Sequence, residues 1–155
     1  MFLTNHYQNA YVTADIDRAV ALLEEQFGAA GKAARIDITQ KFWTPQGEGE
    51  GTLKLAFVQV GRLQYELIEP VSGNVAIYKD AVVPGQPMRF HHVAMRADDI
   101  DAVRAESEKH GRKIVLAGEA AGVRFLYADA RDTLGHYLEY VQAPDAFWDA
   151  MSAAA

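Results

Sequence analysis

Residues 9–20 read NAYVTADIDRAV and residues 93–104 read VAMRADDIDAVR. In each, a strand-like alternation gives way to acidic residues, then Ile-Asp, then an apolar period of helical spacing. Asp15-Ile16-Asp17 aligns with Asp99-Ile100-Asp101 at an offset of 84 residues. The same order of elements surrounds both stretches. Residues 5–13 alternate without Gly or Pro and read as a strand. Asp15 is placed to cap a helix whose apolar face is Ile16, Ala19, Val20, Leu23 and Phe27, and Gly28 is placed to end it. Residues 34–42, 52–60 and 63–69 read as strands, with 44–51 (TPQGEGEG) as a polar, glycine-rich loop and Gly61-Arg62 as a turn. Pro70 closes this unit, 72–83 reads as a short connecting helix, and 83–87 (VPGQP) is the clearest linker.

The order then repeats. Residues 89–96 form a strand and 98–110 a helix ended by Gly111. Residues 113–118, 123–129 and 136–142 form three more strands, 144–151 a terminal helix, and 152–155 a frayed end. Either half alone leaves one sheet face uncovered, whereas two halves packed together cover both. The expected fold class is therefore α+β. Two tandem βαβββ modules, about 5–70 and 89–143, are joined by a linker over 71–88 in a single domain spanning 1–155. They form a curved, cup-shaped mixed sheet with helices outside.

The 155 residues carry 15 Lys and Arg against 21 Asp and Glu, a net charge of −6, so the chain offers no basic surface for nucleic acid. Cysteine is absent, which excludes disulfides, thiolate metal sites and a Cys nucleophile. No apolar run approaches the ~20 residues of a membrane span, and the first residues lack a basic and apolar leader pattern. A cytoplasmic enzyme or binding protein is expected. The glycines of GEGEG lack phosphate-loop spacing, and the acids at 98–101 suit a helix N-terminus without any cation.

The offset of 84 places His92 opposite Gln8. Alternation puts His92, Ala94 and Arg96 on one face and His91, Val93 and Met95 on the other, so His91 reads as structural. The last strand of each half holds an acid among apolar neighbours, Glu66 in LQYELIEP and Glu139 in GHYLEYVQ. Such a carboxylate needs water or a cation on its face. Gln8, Glu66, His92 and Glu139 thus form a candidate ligand set, rich in oxygen and twice negatively charged, that matches a divalent cation. Zn, Ni, Co, Mn and Mg all suit it. A neutral amide is a weaker ligand than imidazole, so Gln8 also reads as the mark of a site without metal. Phe42, Trp43, Tyr65, Phe125, Tyr127 and Tyr137 are candidates for an apolar pocket or for plain core.

With FHHVAMRADDIDAV, LQYELIEP and GHYLEYV on the page, the sequence resembles the vicinal oxygen chelate superfamily of glyoxalases, bleomycin resistance proteins and dioxygenases. The resemblance runs from about residue 5 to residue 143 and is closest to the methylmalonyl-CoA epimerase-like branch. That branch usually has His where Gln8 stands, while the set Gln, Glu, His, Glu is the one associated with eukaryotic-type glyoxalase I. The resemblance implies a metal-dependent lyase or isomerase that moves a proton next to a metal-bound carbonyl or enediolate. Gln8, Glu66, His92 and Glu139 would ligate the metal, and Glu139 or Glu66 would act as base. Arg96, Arg124, His6 and Tyr127 are the expected substrate-binding residues. The implied substrate is a small oxoacid, thiol adduct or acyl-CoA, and the implied assembly a homodimer. Two other readings stand beside it: a metal-free, antibiotic-sequestering type of binding protein, and an extradiol-type dioxygenase that would need His6 as a second imidazole ligand. Residues 43–51 and 130–135 are the loops expected to set substrate identity, with 44–51 absorbing the greater length of the first half.

Overall fold

The computed structural model describes residues 3–28 and 33–153. The expected place of the Phe27 side chain and the fraying of Ala154 and Ala155 lie outside what is described. The elements run β1 (His6–Val12), α1 (Ile16–Phe27), β2 (Ala34–Thr44), β3 (Gly47–Val60), β4 (Leu63–Gly73) and α2 (Ala76–Lys79). They continue with β5 (Arg89–Arg96), α3 (Ile100–Lys109), β6 (Ile114–Ala120), β7 (Val123–Ala130), β8 (His136–Gln142) and α4 (Asp145–Ala153). The two aspartates begin their helices as the repeat predicts. Asp15 accepts from the Arg18 N–H, and Asp99 from the N–H groups of Asp101 and Ala102, all at 3.0 Å. Gly28 ends α1 at φ +60°, its N–H donating to the Leu23 carbonyl.

The eight strands close into one barrel in the order β1-β4-β3-β2-β6-β7-β8-β5. β1 pairs in parallel with β4, β5 in parallel with β8, and β1 and β5 join antiparallel at the central seam. The opposite seam is narrow: β2 meets β6 only at Phe42↔Gly118 and Trp43↔Ala117. The expected open cup is therefore a barrel, closed by this short contact. Helices lie outside. Ile16, Ala19, Val20 and Leu23 of α1 pack on Ala56, Val58 and Leu67, while Ile100 and Val103 of α3 pack in a cluster with Ile114, Leu126, Leu138 and Tyr140. A third cluster, with Ala10, Leu53, Leu55, Ile68 and Tyr127, belongs to the barrel interior. No helix among the described residues is long and apolar enough to cross a membrane.

Two expectations from the sequence are corrected. Residues 44–51 are not a loop: β2 and β3 form a hairpin paired from Ala34↔Phe57 to Thr44↔Gly47, turning at Pro45-Gln46. The Gly-Glu alternation is a strand period. A Cβ on Gly51 would sit 2.7 Å from Val75 and 2.8 Å from Phe42, so that glycine admits close packing rather than flexibility. Pro70 does not end β4 either. The β3–β4 register shifts between Thr52 and Leu53, and β1 pairs with β4 only from Gln64 to Ile68, so Pro70 sits at an irregularity with one side free. The connecting helix accordingly shrinks to Ala76–Lys79.

Gly73 (φ +79°) turns the chain from β4 toward α2, and a Cβ there would lie 2.2 Å from the Glu50 carbonyl oxygen. Gly73→Ala is expected to cost about 2–3 kcal/mol in denaturant unfolding, against about 1 kcal/mol for Gly28→Ala, where no atom lies within 4 Å. Equal losses at both positions would show that the Glu50 contact is unimportant.

Candidate metal centre

The central seam brings four strands side by side in the order β4, β1, β5, β8. Across it, Ala10 pairs with both Glu66 and His92 in one row, and in the next Ala94 pairs with both Gln8 and Glu139. The two alanines are fully buried. They leave space between the long side chains of adjacent strands. Into that space come Glu66, His92 and Glu139, whose ligand atoms lie within 4.8 Å of one another. His92 Nε2 is 3.1 Å from Glu139 Oε2 and 3.6 Å from Glu66 Oε2. Two donors on one ion can stand up to roughly 4.4 Å apart, twice a typical ~2.2 Å bond, so His92 is within range of both carboxylates.

Gln8 faces the same cavity. Its Nε2–H donates to Gln64 Oε1 at 2.7 Å, while its own Oε1 is buried without a hydrogen-bond partner. An unpartnered buried carbonyl oxygen costs about 1–3 kcal/mol, and a cation would supply the missing partner. An orphaned amide oxygen on a residue that lines the same cavity as the two carboxylates fits a divalent ion. Gln64, which orients that amide, escaped the sequence reading because nothing in a single strand pattern pairs residue 8 with residue 64.

Strand alternation fails at two points, and both shape the site. The β1–β5 register skips Tyr7 between His6↔Met95 and Gln8↔Ala94, and skips His91 between Ala10↔His92 and Tyr11↔Phe90. Tyr7 and His91 are 84 residues apart, the offset of the sequence repeat. A bulged residue breaks the two-residue period, so consecutive side chains can share a side. Tyr7 therefore joins Gln8 in lining the cavity. His91, expected on the opposite face, is buried beside His92, with Tyr78 and Tyr137 against its ring. His6 is turned outward by the same device. It is exposed, and its Nε2–H donates to the Gln8 carbonyl and to Asn9 Oδ1.

The His91 contacts fix the tautomer of His92. The Ile77 carbonyl can only accept, so the His91 Nε2 at 2.9 Å carries hydrogen. Burial, then the neighbouring His92, depress the His91 pKa to about 3, leaving its Nδ1 a bare acceptor. The 2.8 Å contact between the two Nδ1 atoms is therefore donated by His92. Its Nε2 faces the carboxylates, carrying a proton in the free protein and able to offer a lone pair to an ion. Burial alone would lower the His92 pKa, but the hydrogen bonds and charges of Glu139 and Glu66 outweigh it and raise it to about 9. Burial raises the Glu66 pKa, opposed by the His92 hydrogen bond and reinforced by Glu139.

The cavity above these groups measures about 460 Å³. Tyr127 lines it, its ring 4.9 Å from that of His92. Its lining also takes in residues of β2, Ala120 and Val123 at the β6–β7 turn, and Phe147 and Met151 of α4. Residues 43–51 and 130–135, expected to frame the substrate, do not line it. Neither do three of the four expected substrate-binding residues, the outward-turned His6 and two arginines. Arg96 lies over Trp148 at 5.2 Å and pairs with Asp145 at 3.5 Å, beyond the end of β5. Arg124 alternates outward from Phe125 and Tyr127 and grips Asp101 at 2.8 and 3.0 Å. The role of α4 escaped the sequence reading because a helix period does not show what the helix covers.

The barrel thus sets two carboxylates and an imidazole close together at a cavity that Gln8 also lines, a donor set that could hold a divalent ion. The comparisons give the family. The profile of the Glyoxalase/Bleomycin resistance protein/Dioxygenase superfamily matches residues 7–127, and the chain belongs to that superfamily. Among solved structures, methylmalonyl-CoA epimerase from Mycobacterium tuberculosis superposes with a TM-score of 0.61 at 19% identity, covering 99% of this chain and 94% of that one. A Streptomyces coelicolor methylmalonyl-CoA epimerase in complex with 2-nitronate-propionyl-CoA gives 0.64 at 17%, covering 91% and 98%. A hypothetical protein from Bacillus halodurans gives 0.62 at 15%, covering 90% and 94%. These likenesses are of fold. No curated protein matches the sequence.

Two predictions test this geometry. His91→Phe removes the acceptor for His92 and is expected to weaken divalent-metal binding about 10–100-fold, whereas His91→Gln, which can accept and donate along the same line, retains most of it. Calorimetric titration of both variants checks this, and unchanged affinity in His91→Phe would remove His91 from the site. The second concerns pH. A histidine raised to about 9 stabilises the fold fully below its unfolded value near 6.5, and that contribution is lost as pH rises through about 9. The raised Glu66 pKa acts in the same sense. Metal-free protein should therefore lose stability from pH 6.5 to 10 more steeply than His92→Gln, measured by urea midpoints.

Proposed function

We propose that the protein is a divalent-metal-dependent isomerase or lyase of the glyoxalase and epimerase type, which moves a proton at the carbon beside a substrate carbonyl. Gln8 Oε1, Glu66, His92 Nε2 and Glu139 would hold the ion. The observation that carries this reading is the pair of buried carboxylates sharing one imidazole, in a cavity also lined by Gln8, whose side-chain oxygen is unpartnered. When bound, a divalent ion supplies Lewis acidity to the carbonyl or enediolate oxygens. The remaining roles belong to the chain. Glu139 is anchored by its 3.1 Å contact to His92. Glu66 stands farther off at 3.6 Å with a raised pKa, which suits the group that takes and returns the proton. Tyr127, Tyr78 and Tyr7 close the cavity floor against water, each hydroxyl held neutral by burial. The repeated bulges and the matched pairing of β1 with β4 and β5 with β8 support reading the chain as two tandem βαβββ modules.

The unpartnered Gln8 oxygen favours the metal-dependent reading over a metal-free binding protein. An iron dioxygenase would need His6, which points away. Protein purified without chelator is expected to hold close to one equivalent of divalent metal. Less than roughly a tenth of an equivalent, with no rise on adding metal, would defeat the reading. In D₂O the loaded protein should exchange the α-hydrogen of α-hydroxy ketones, and Glu66→Gln should lower that exchange about 10²–10⁴-fold while still binding metal.

A further inference from the structure

We infer that the substrate carries its paired oxygens on an uncharged, apolar or aromatic body, and that no anionic group of it enters the cavity. The inference rests on the metal-dependent reading above and names the substrate class of that site. The lining includes Ile36, Ile38, Leu53, Leu55, Phe57 and Phe125, with Phe147 and Met151 of α4, and its uncharged polar members beyond Gln8 and the tyrosines are Gln40 and Gln64. Among the described residues lining the cavity there is no Lys or Arg, and the formal charges are those of Glu66 and Glu139. The two arginines expected to bind substrate, Arg96 and Arg124, are engaged outside by Asp145 and Asp101. A carboxylate or phosphate inside would lose water, find no cation among the lining residues and face two acids on the floor. A cationic body fares no better once a divalent ion has balanced the two carboxylates. An uncharged hydrocarbon or aromatic body gains from burial against these walls. A cavity of about 460 Å³ lies in the range that encloses a drug-sized molecule. Any anionic extension of a substrate must lie beyond Phe147, in solvent.

Three hydroxamates with the same chelating head test this by calorimetry on zinc-loaded and metal-free protein. Benzohydroxamate has an aromatic body, succinate monohydroxamate a carboxylate and β-alanine hydroxamate an amine. The expected result is that zinc-loaded protein binds benzohydroxamate at least about tenfold more tightly than either charged probe, one decade being about 1.4 kcal/mol. Equal or tighter binding of a charged probe would overturn the substrate class and leave the metal reading standing. If no probe gains affinity on zinc loading, the metal reading falls, and this inference with it. Ile38→Lys, on the half-buried wall of β2, should raise affinity for succinate monohydroxamate and lower it for benzohydroxamate. No change in that variant would show that the probe's body does not lie against this wall.

Discussion

Two carboxylates buried beside one imidazole, inside a barrel whose cavity is otherwise lined by uncharged side chains, form the constraint on which the rest of this structure turns. Ionised carboxylates taken out of water cost several kcal/mol each unless something answers their charge. Glu66 and Glu139 are each only 8% exposed, and His92 is fully buried. One imidazolium answers at most one of the two negative charges. The protein meets part of the excess by holding His92 protonated to an unusually high pH and by raising the Glu66 pKa. A divalent ion would meet all of it. The strain of the free site and its affinity for a cation are thus two views of the same unbalanced charge.

The backbone makes this arrangement possible by breaking its own rule twice. A regular β1–β5 pair would send Tyr7 and His91 out of the interior, and the site would lose both the cavity wall and the support for His92. The skipped residues turn them in. Support for the imidazole then reaches back to the Ile77 carbonyl, on a short helix held near β4 by the turn at Gly73. Ala10 and Ala94 complete the device, because any larger side chain in those two positions would stand between the facing strands where the ligand atoms meet.

Much of this was legible in the sequence, for a physical reason. Helix capping and strand alternation are local, so Asp15, Asp99 and the element order could be read from neighbours alone. The offset of 84 then matched Gln8 to His92 across the chain, and the acid in the last strand of each half added Glu66 and Glu139 to the set. What escaped was non-local or irregular. The bulges follow from how β1 meets β5, and no composition rule marks them; hence His91 was given the opposite face, and His6 was read as a substrate-binding residue. GEGEG looked like a loop because glycine usually signals one, whereas here it answers the crowding of Phe42 and Val75. The arginines looked like anion anchors because their ion-pair partners, Asp101 and Asp145, lie on other elements.

The displaced arginines decide more than their own positions. An anionic substrate would be expected to meet a cation within the cavity, since a charge stripped of water needs a counter-charge close by. Here Arg96 and Arg124 are already paired with aspartates on the outer surface, and the lining above the two carboxylates is uncharged, mostly apolar with Gln40 and Gln64 among it. The fold shared with the epimerases therefore does not settle what is bound. The floor determines which atoms of a substrate can react, and the walls determine which molecules can bring those atoms to it. In this chain the floor retains an acid–imidazole–amide set suited to a hard cation. The walls select against the charged bodies that such a floor would otherwise serve.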